Sequence, residues 1–143
     1  MKELNFDTGV VAYRVNGGHA IRFNPADNRF VERLFTVFDR LSHLQEEGER
    51  SDALQEDGAA LWASINARDA EMRQNIDSVF GEHTADGIFP DVGVYALADG
   101  LPLWMNFFLA VMDEVDAVLA EEQKKANPRV ERYMKKYEKY QRK

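Results

Sequence analysis

The chain has 143 residues, a hydrophobic share of 45% and no cysteine. That length suits one domain, and the missing cysteines exclude disulfides, thiolate catalysis and cysteine-based zinc sites together. The net charge of −7 hides an asymmetry: residues 124–143 hold nine Lys and Arg against two Glu, +7, whereas residues 1–123 stand at −14. An acidic body with a basic tail is suited to head-to-tail association, or to offering the tail to an acidic partner.

The opening Met1-Lys-Glu-Leu-Asn-Phe-Asp is too polar for a signal peptide. The most apolar run, Leu101 to Met112, is far short of the ~20 residues a membrane-spanning helix needs. The expectation is a soluble intracellular protein.

Residues 2–23 read as strands. Leu4 and Phe6 alternate with polar neighbours, and Val10 to Val15 is rich in β-branched and aromatic residues. Asn16-Gly17-Gly18 marks a tight turn, after which His19 to Phe23 alternates again. A two- or three-stranded antiparallel meander follows, too small to be stable unless it packs on a helix or another chain. Asn24-Pro25-Ala26-Asp27 is a helix start. The first helix is expected over 25–47, with Phe30, Leu34, Val37, Phe38, Leu41 and Leu44 on one stripe. Polar residues 48–52 break or fray it. A second helix is expected over 52–80, ending at Gly81, and forms an antiparallel hairpin with the first.

Residues 82–93 read as a loop or a short helical turn in which Ile88, Phe89 and Val92 tuck into the core. The third helix, 101–126, is the organising element: Leu101, Trp104, Phe107, Phe108, Val111, Met112, Val115, Val118 and Leu119 recur at helical spacing. Pro128 cannot continue its hydrogen-bond ladder. Residues 128–143 therefore restart as a basic helix, with Tyr133, Tyr137 and Tyr140 at i, i+4 and i+7. The fold class is mainly α with a small N-terminal β meander (α+β). Residues 1–127 make one domain and residues 128–143 a basic tail.

Enzyme motifs are absent. His19, His43 and His83 lack the partner spacing of a metal pair. Asp113 and Asp116 share one helix side with acid–base potential, but that side reads as solvated, and Asp69 and Asp77 read as exposed residues near Arg73. No serine lies in a nucleophile elbow. Asn16-Gly17-Gly18 precedes a strand, so it is no phosphate loop, and no cofactor is implied. The tail residues Arg129, Arg132, Tyr133, Lys135, Lys136, Tyr137, Lys139 and Tyr140 suit phosphate contact and base stacking. Repulsion between the acidic body and a polyanion favours a protein partner instead.

Segments spread over nearly the whole chain carry a family resemblance. They are Ile21-Arg-Phe-Asn-Pro-Ala-Asp, Phe30-Val-Glu-Arg-Leu, Glu71-Met-Arg-Gln-Asn-Ile-Asp, Val79-Phe-Gly, Phe89-Pro-Asp, Tyr95-Ala-Leu-Ala-Asp-Gly-Leu-Pro-Leu-Trp and Arg132-Tyr-Met-Lys-Lys-Tyr. In this arrangement the chain resembles small tail assembly chaperones of long-tailed phages and prophages of Gram-positive bacteria. The resemblance implies a non-enzymatic protein that binds the tape measure protein and keeps it soluble until tail tube subunits displace it. It also implies a place in the cytoplasm of the bacterial host and absence from the finished virion, while the acidic body and basic tail lead us to expect a homo-oligomer. The tail tube protein is a second implied partner, met through a frameshifted longer form. On that reading the client contacts are the exposed members of the set Tyr95, Trp104, Phe107, Phe108 and Met112. The plainer fate of such side chains is core packing. Two other classes fit the composition: a small acidic inhibitor of a host protein, and a nucleic-acid-binding module acting through the tail.

Overall fold

The computed structural model describes residues 1–142; Lys143, the last residue of the expected basic helix, lies outside the described residues. The chain is mainly α with a small antiparallel sheet at its N-terminus. Strands β1 (Val11–Arg14) and β2 (Ala20–Phe23) pair antiparallel, with Tyr13 opposite Ile21. Asn16 and Gly17 both take positive φ, 50° and 73°, as the tight primed turn between twisted strands requires. Residues 1–10 are not strand, which corrects the expectation of strands from residue 2. Leu4 and Phe6 alternate as strand residues do, but both are exposed, and alternation without a buried face does not fix a strand.

Helix α1 (Asn28–Leu54) and helix α2 (Gly58–Phe80) form the antiparallel hairpin. Asp27 caps α1 by accepting from the Arg29 amide, and Asp57 caps α2 by accepting from the Ala59 amide. Helix α1 runs seven residues past the expected end at Glu47, straight through Gly48. A Cβ at Gly48 would run into the Arg68 guanidinium, which crosses this spot to bind both Asp52 oxygens at 2.8 and 2.9 Å. Gly48 is thus a gap for a bidentate ion pair between the two helices, not a helix end. The second helix correspondingly starts at Gly58 rather than Asp52.

Helix α3 (Thr84–Ile88) is a single turn. The Asp77 carboxylate holds it, accepting from the amides of His83 and Ala85 at 3.2 and 2.8 Å. A minimal hairpin, β3 (Leu97–Ala98) with β4 (Leu101–Pro102), turns at Asp99-Gly100. It leads directly into α4 (Leu103–Lys124), the expected core helix. Helix α4 has no side-chain cap. Its first amides are satisfied instead by the preceding strap: Leu103 N–H donates to the Ala96 carbonyl at 2.8 Å and Trp104 N–H to the Val94 carbonyl at 3.2 Å. Helix α5 (Arg129–Gln141) follows a four-residue link. No residue of α5 is buried.

The core lies where α1, α2, α4 and the inner face of β2 meet. An aromatic chain runs through it. Phe23 stacks on Tyr13 at 4.6 Å and on Phe30 at 4.5 Å, and Phe80 meets Phe107 at 4.9 Å. Phe38 meets Trp104 at 5.5 Å. The Trp104 indole is fully buried, and its Nε1–H donates to Gln45 Oε1 at 2.7 Å, the partner a buried indole needs. The Trp104→Ala variant is therefore expected to lose about 3–5 kcal/mol of stability, checked by thermal melting. Gly48→Ala should destabilise by about 1–2 kcal/mol despite better helix propensity, because it displaces the Arg68 ion pair. In an Arg68→Ala background the same change should stabilise by about 1 kcal/mol, as urea titrations of the four proteins would show.

Candidate helix-binding groove

The strap that starts α4 is held by one arginine on α2. Arg73 Nε binds Asp69 at 2.6 Å, and Nη1 reaches Asp86 at 3.0 Å and the Phe89 carbonyl at 3.2 Å. Its Nη2 donates to the Val92 carbonyl at 2.5 Å. Asp69 uses its second oxygen to accept from the Val94 amide at 2.8 Å. Burial lowers the Arg73 pKa, but the hydrogen bonds and charges of Asp69 and Asp86 outweigh it and the net shift is upward. Asp69 pairs with Arg73 as expected but is four-fifths buried rather than solvated, because α3 and the strap cover it.

With the strap pinned, Ile88, Phe89 and Val92 share a hollow with Val15 and Asn16 of the β1–β2 turn and with one row of α4. Two adjoining hollows share Val15, Asn16, Phe107 and Ala110 and make one groove. Its α4 wall is Leu103, Asn106, Phe107, Ala110, Val111 and Glu114, the i, i+3, i+4, i+7 row of a helix. That row is about 17 Å long at the usual rise per residue. The opposite wall is Tyr13, Arg14, Val15 and Asn16 at one end and Ile88, Phe89 and Val92 at the other. The lining is mostly alkyl and ring carbon. Its one carboxylate, Glu114, accepts from the Tyr13 hydroxyl at 2.9 Å. Burial, and then Glu114, push the Tyr13 phenol up to about 12. An open apolar channel of this length accepts one face of a helix. Among the described residues, no three His, Cys, Asp or Glu are grouped as metal ligands, and no helix is long and apolar enough to cross a membrane.

The expected client residues are placed differently. Trp104 and Phe108 are wholly buried and Phe107 nearly so; they are core, so they are corrected as exposed client contacts. The reason is geometric: α4 is covered on two sides, and its widest apolar stripe faces α1 and α2. Phe107 alone of the set reaches the groove, as its floor. Tyr95 and Met112 are half-buried against the core. The Arg68 guanidinium lies 5.5 Å from the Tyr95 ring centre. Burial raises the Tyr95 pKa while Arg68 works against it. Sequence reading missed Val15, Leu103 and Ala110 as groove residues. The available signal was Ala110, a small residue at the border of the stripe, next to Phe107 and Val111.

The tail residues Arg129, Arg132, Tyr133, Lys135, Lys136, Tyr137, Lys139 and Tyr140 all lie exposed on α5. Arg132 and Lys136 flank the Tyr133 ring at 5.5 and 5.2 Å. Asp113 and Asp116 are exposed on α4, as expected for a solvated side. Comparison with family models, with curated proteins and with solved structures finds no match.

The Tyr13–Glu114 bond ties the hairpin wall to the α4 wall. Tyr13→Phe is expected to lose about 1 kcal/mol at neutral pH. Because the folded phenol is raised from 10.0 to about 12, its contribution is complete below pH 10 and disappears as pH climbs through 12. Alkaline titration of the phenolate absorbance, wild type against Tyr13→Phe, checks the value.

Proposed function

We propose that this chain is a non-enzymatic assembly chaperone that holds an amphipathic helix of its client in the groove between α4 and the β1–β2 hairpin. The groove carries the reading: it is apolar, open to solvent and about one short helix long. In agreement with the resemblance to tail assembly chaperones, the client is a tape measure protein, a long helical chain with apolar surface that needs cover until the tail tube encloses it. Binding takes place in the bacterial cytoplasm, and the chaperone leaves before the particle is finished. Shielding of this kind needs no acid–base pair and no metal. It needs an apolar channel, and a charged exterior that keeps the complex soluble.

Ala110 is exposed at the middle of the groove, so Ala110→Arg fills the channel with a charged side chain without entering the core. Its stability should stay within about 0.5 kcal/mol of wild type. Co-expression of Ala110→Arg with a candidate tape measure protein that wild type keeps soluble should show the client moving from the soluble to the insoluble fraction, with client affinity at least tenfold weaker. A folded Ala110→Arg protein that still solubilises the client would sink the proposal.

A further inference from the structure

Helix α5 carries its own answer to the groove. Val130, Tyr133, Met134 and Tyr137 fall at i, i+3, i+4 and i+7, so they share one face, and each is more than half exposed. Arg129, Arg132, Lys136 and Lys139 lie beside and behind that face. A 13-residue helix is marginal in water by itself, since nucleation outweighs the few hydrogen bonds it closes. Among the described residues this face meets only side chains of its own helix, which adds little stability. The helix is therefore built to be covered by a partner.

That partner's properties are on the same chain. At about 20 Å, α5 matches the groove's length. The body that surrounds the groove stands at −14 against +7 for the segment containing α5. In the lining itself Glu114 and Arg14 offset one another, and the lining residues Glu114 and Val92 are preceded in the chain by the exposed Asp113 and Asp91. Among the described residues α5 buries none of its side chains and packs closely on no other element, so the groove it enters belongs to another copy. We propose that α5 of one chain docks in the α4–hairpin groove of a second chain, with its Val130–Tyr137 face on the apolar lining and its cations over the acidic rim. This rests on the helix-binding reading of the groove and adds its regulation. A neighbouring α5 and the client compete for one channel, so self-association is the resting state that client binding dissolves.

The 143-residue chain tests this in three forms: wild type, a tail variant carrying Tyr133→Ser, Met134→Ser and Tyr137→Ser, and the groove variant Ala110→Arg. None of the changed residues is buried, and at concentrations low enough for wild type to be monomeric the melting of all three should agree. Sedimentation velocity should show wild type gaining mass with concentration and losing it as salt screens the charges. Each variant alone should sediment as a monomer. Mixed in equal amounts they should form a 1:1 dimer and no more, because one supplies the helix and the other the groove. The tail variant should also bind the client several-fold more tightly than wild type, its competitor being gone. A monomeric wild type, a mixture that stays monomeric, or variants that associate like wild type would each overturn the proposal. So would mass gained by wild type only upon addition of anionic vesicles or a single-stranded oligonucleotide, since α5 would then serve a polyanion. Failed self-association with intact client binding removes this inference alone. Self-association without client binding removes the chaperone reading and leaves the docking.

Discussion

The pairing of Arg73 with Asp69 on α2 is the contact on which the rest of the structure depends. These two side chains seize the backbone of residues 89–94 at three points, two carbonyls and one amide. The strap so fixed offers its own carbonyls to the first amides of α4. Helix α4 begins after a proline with no capping side chain, so its starting point is set by this strap. The position of Trp104 and Phe108 in the core follows from that starting point, and so does the groove, whose far wall is the same strap. Charge-assisted hydrogen bonds between partly buried groups are strong enough for such a task. Here they act on backbone, which gives them leverage over a whole helix.

Much of this architecture is legible in the sequence. The helical stripes of α1 and α4 read most clearly, because they bury contiguous faces; α2 has a weaker stripe, and its start lies at Gly58 rather than Asp52. The turn at Asn16-Gly17 and the stop at Gly81 follow from residues with few alternatives. Two features were not legible. Gly48 looks like a helix end when its neighbours are polar, and only the three-dimensional approach of Arg68 gives it another meaning. Residues 1–10 look like strand by alternation, yet no partner strand or core face receives them.

The candidate site was less legible than the fold, for a physical reason. The largest apolar side chains of α4 advertise themselves most strongly, and those are the ones the core takes first. What remains for recognition is the border of the stripe, where a small Ala110 and the backs of two loops leave an opening. A groove is a property of what is missing between elements. Composition and spacing report on what is present. The basic helix α5 stands apart: its pattern and charge are visible from sequence alone, and the structure adds that its own body does not use them.

That separation of α5 from the body bears on how the chain tolerates change. Since none of its residues is buried within its own chain, in a single undocked copy its amides should exchange with solvent through local opening near zero free energy, while those of α4 follow the global transition. Substitutions in the tail then leave the melting of a single undocked body unaltered. The tail can drift in sequence, charge or length under selection by its partners alone, whereas nearly every apolar position of α4 answers first to packing.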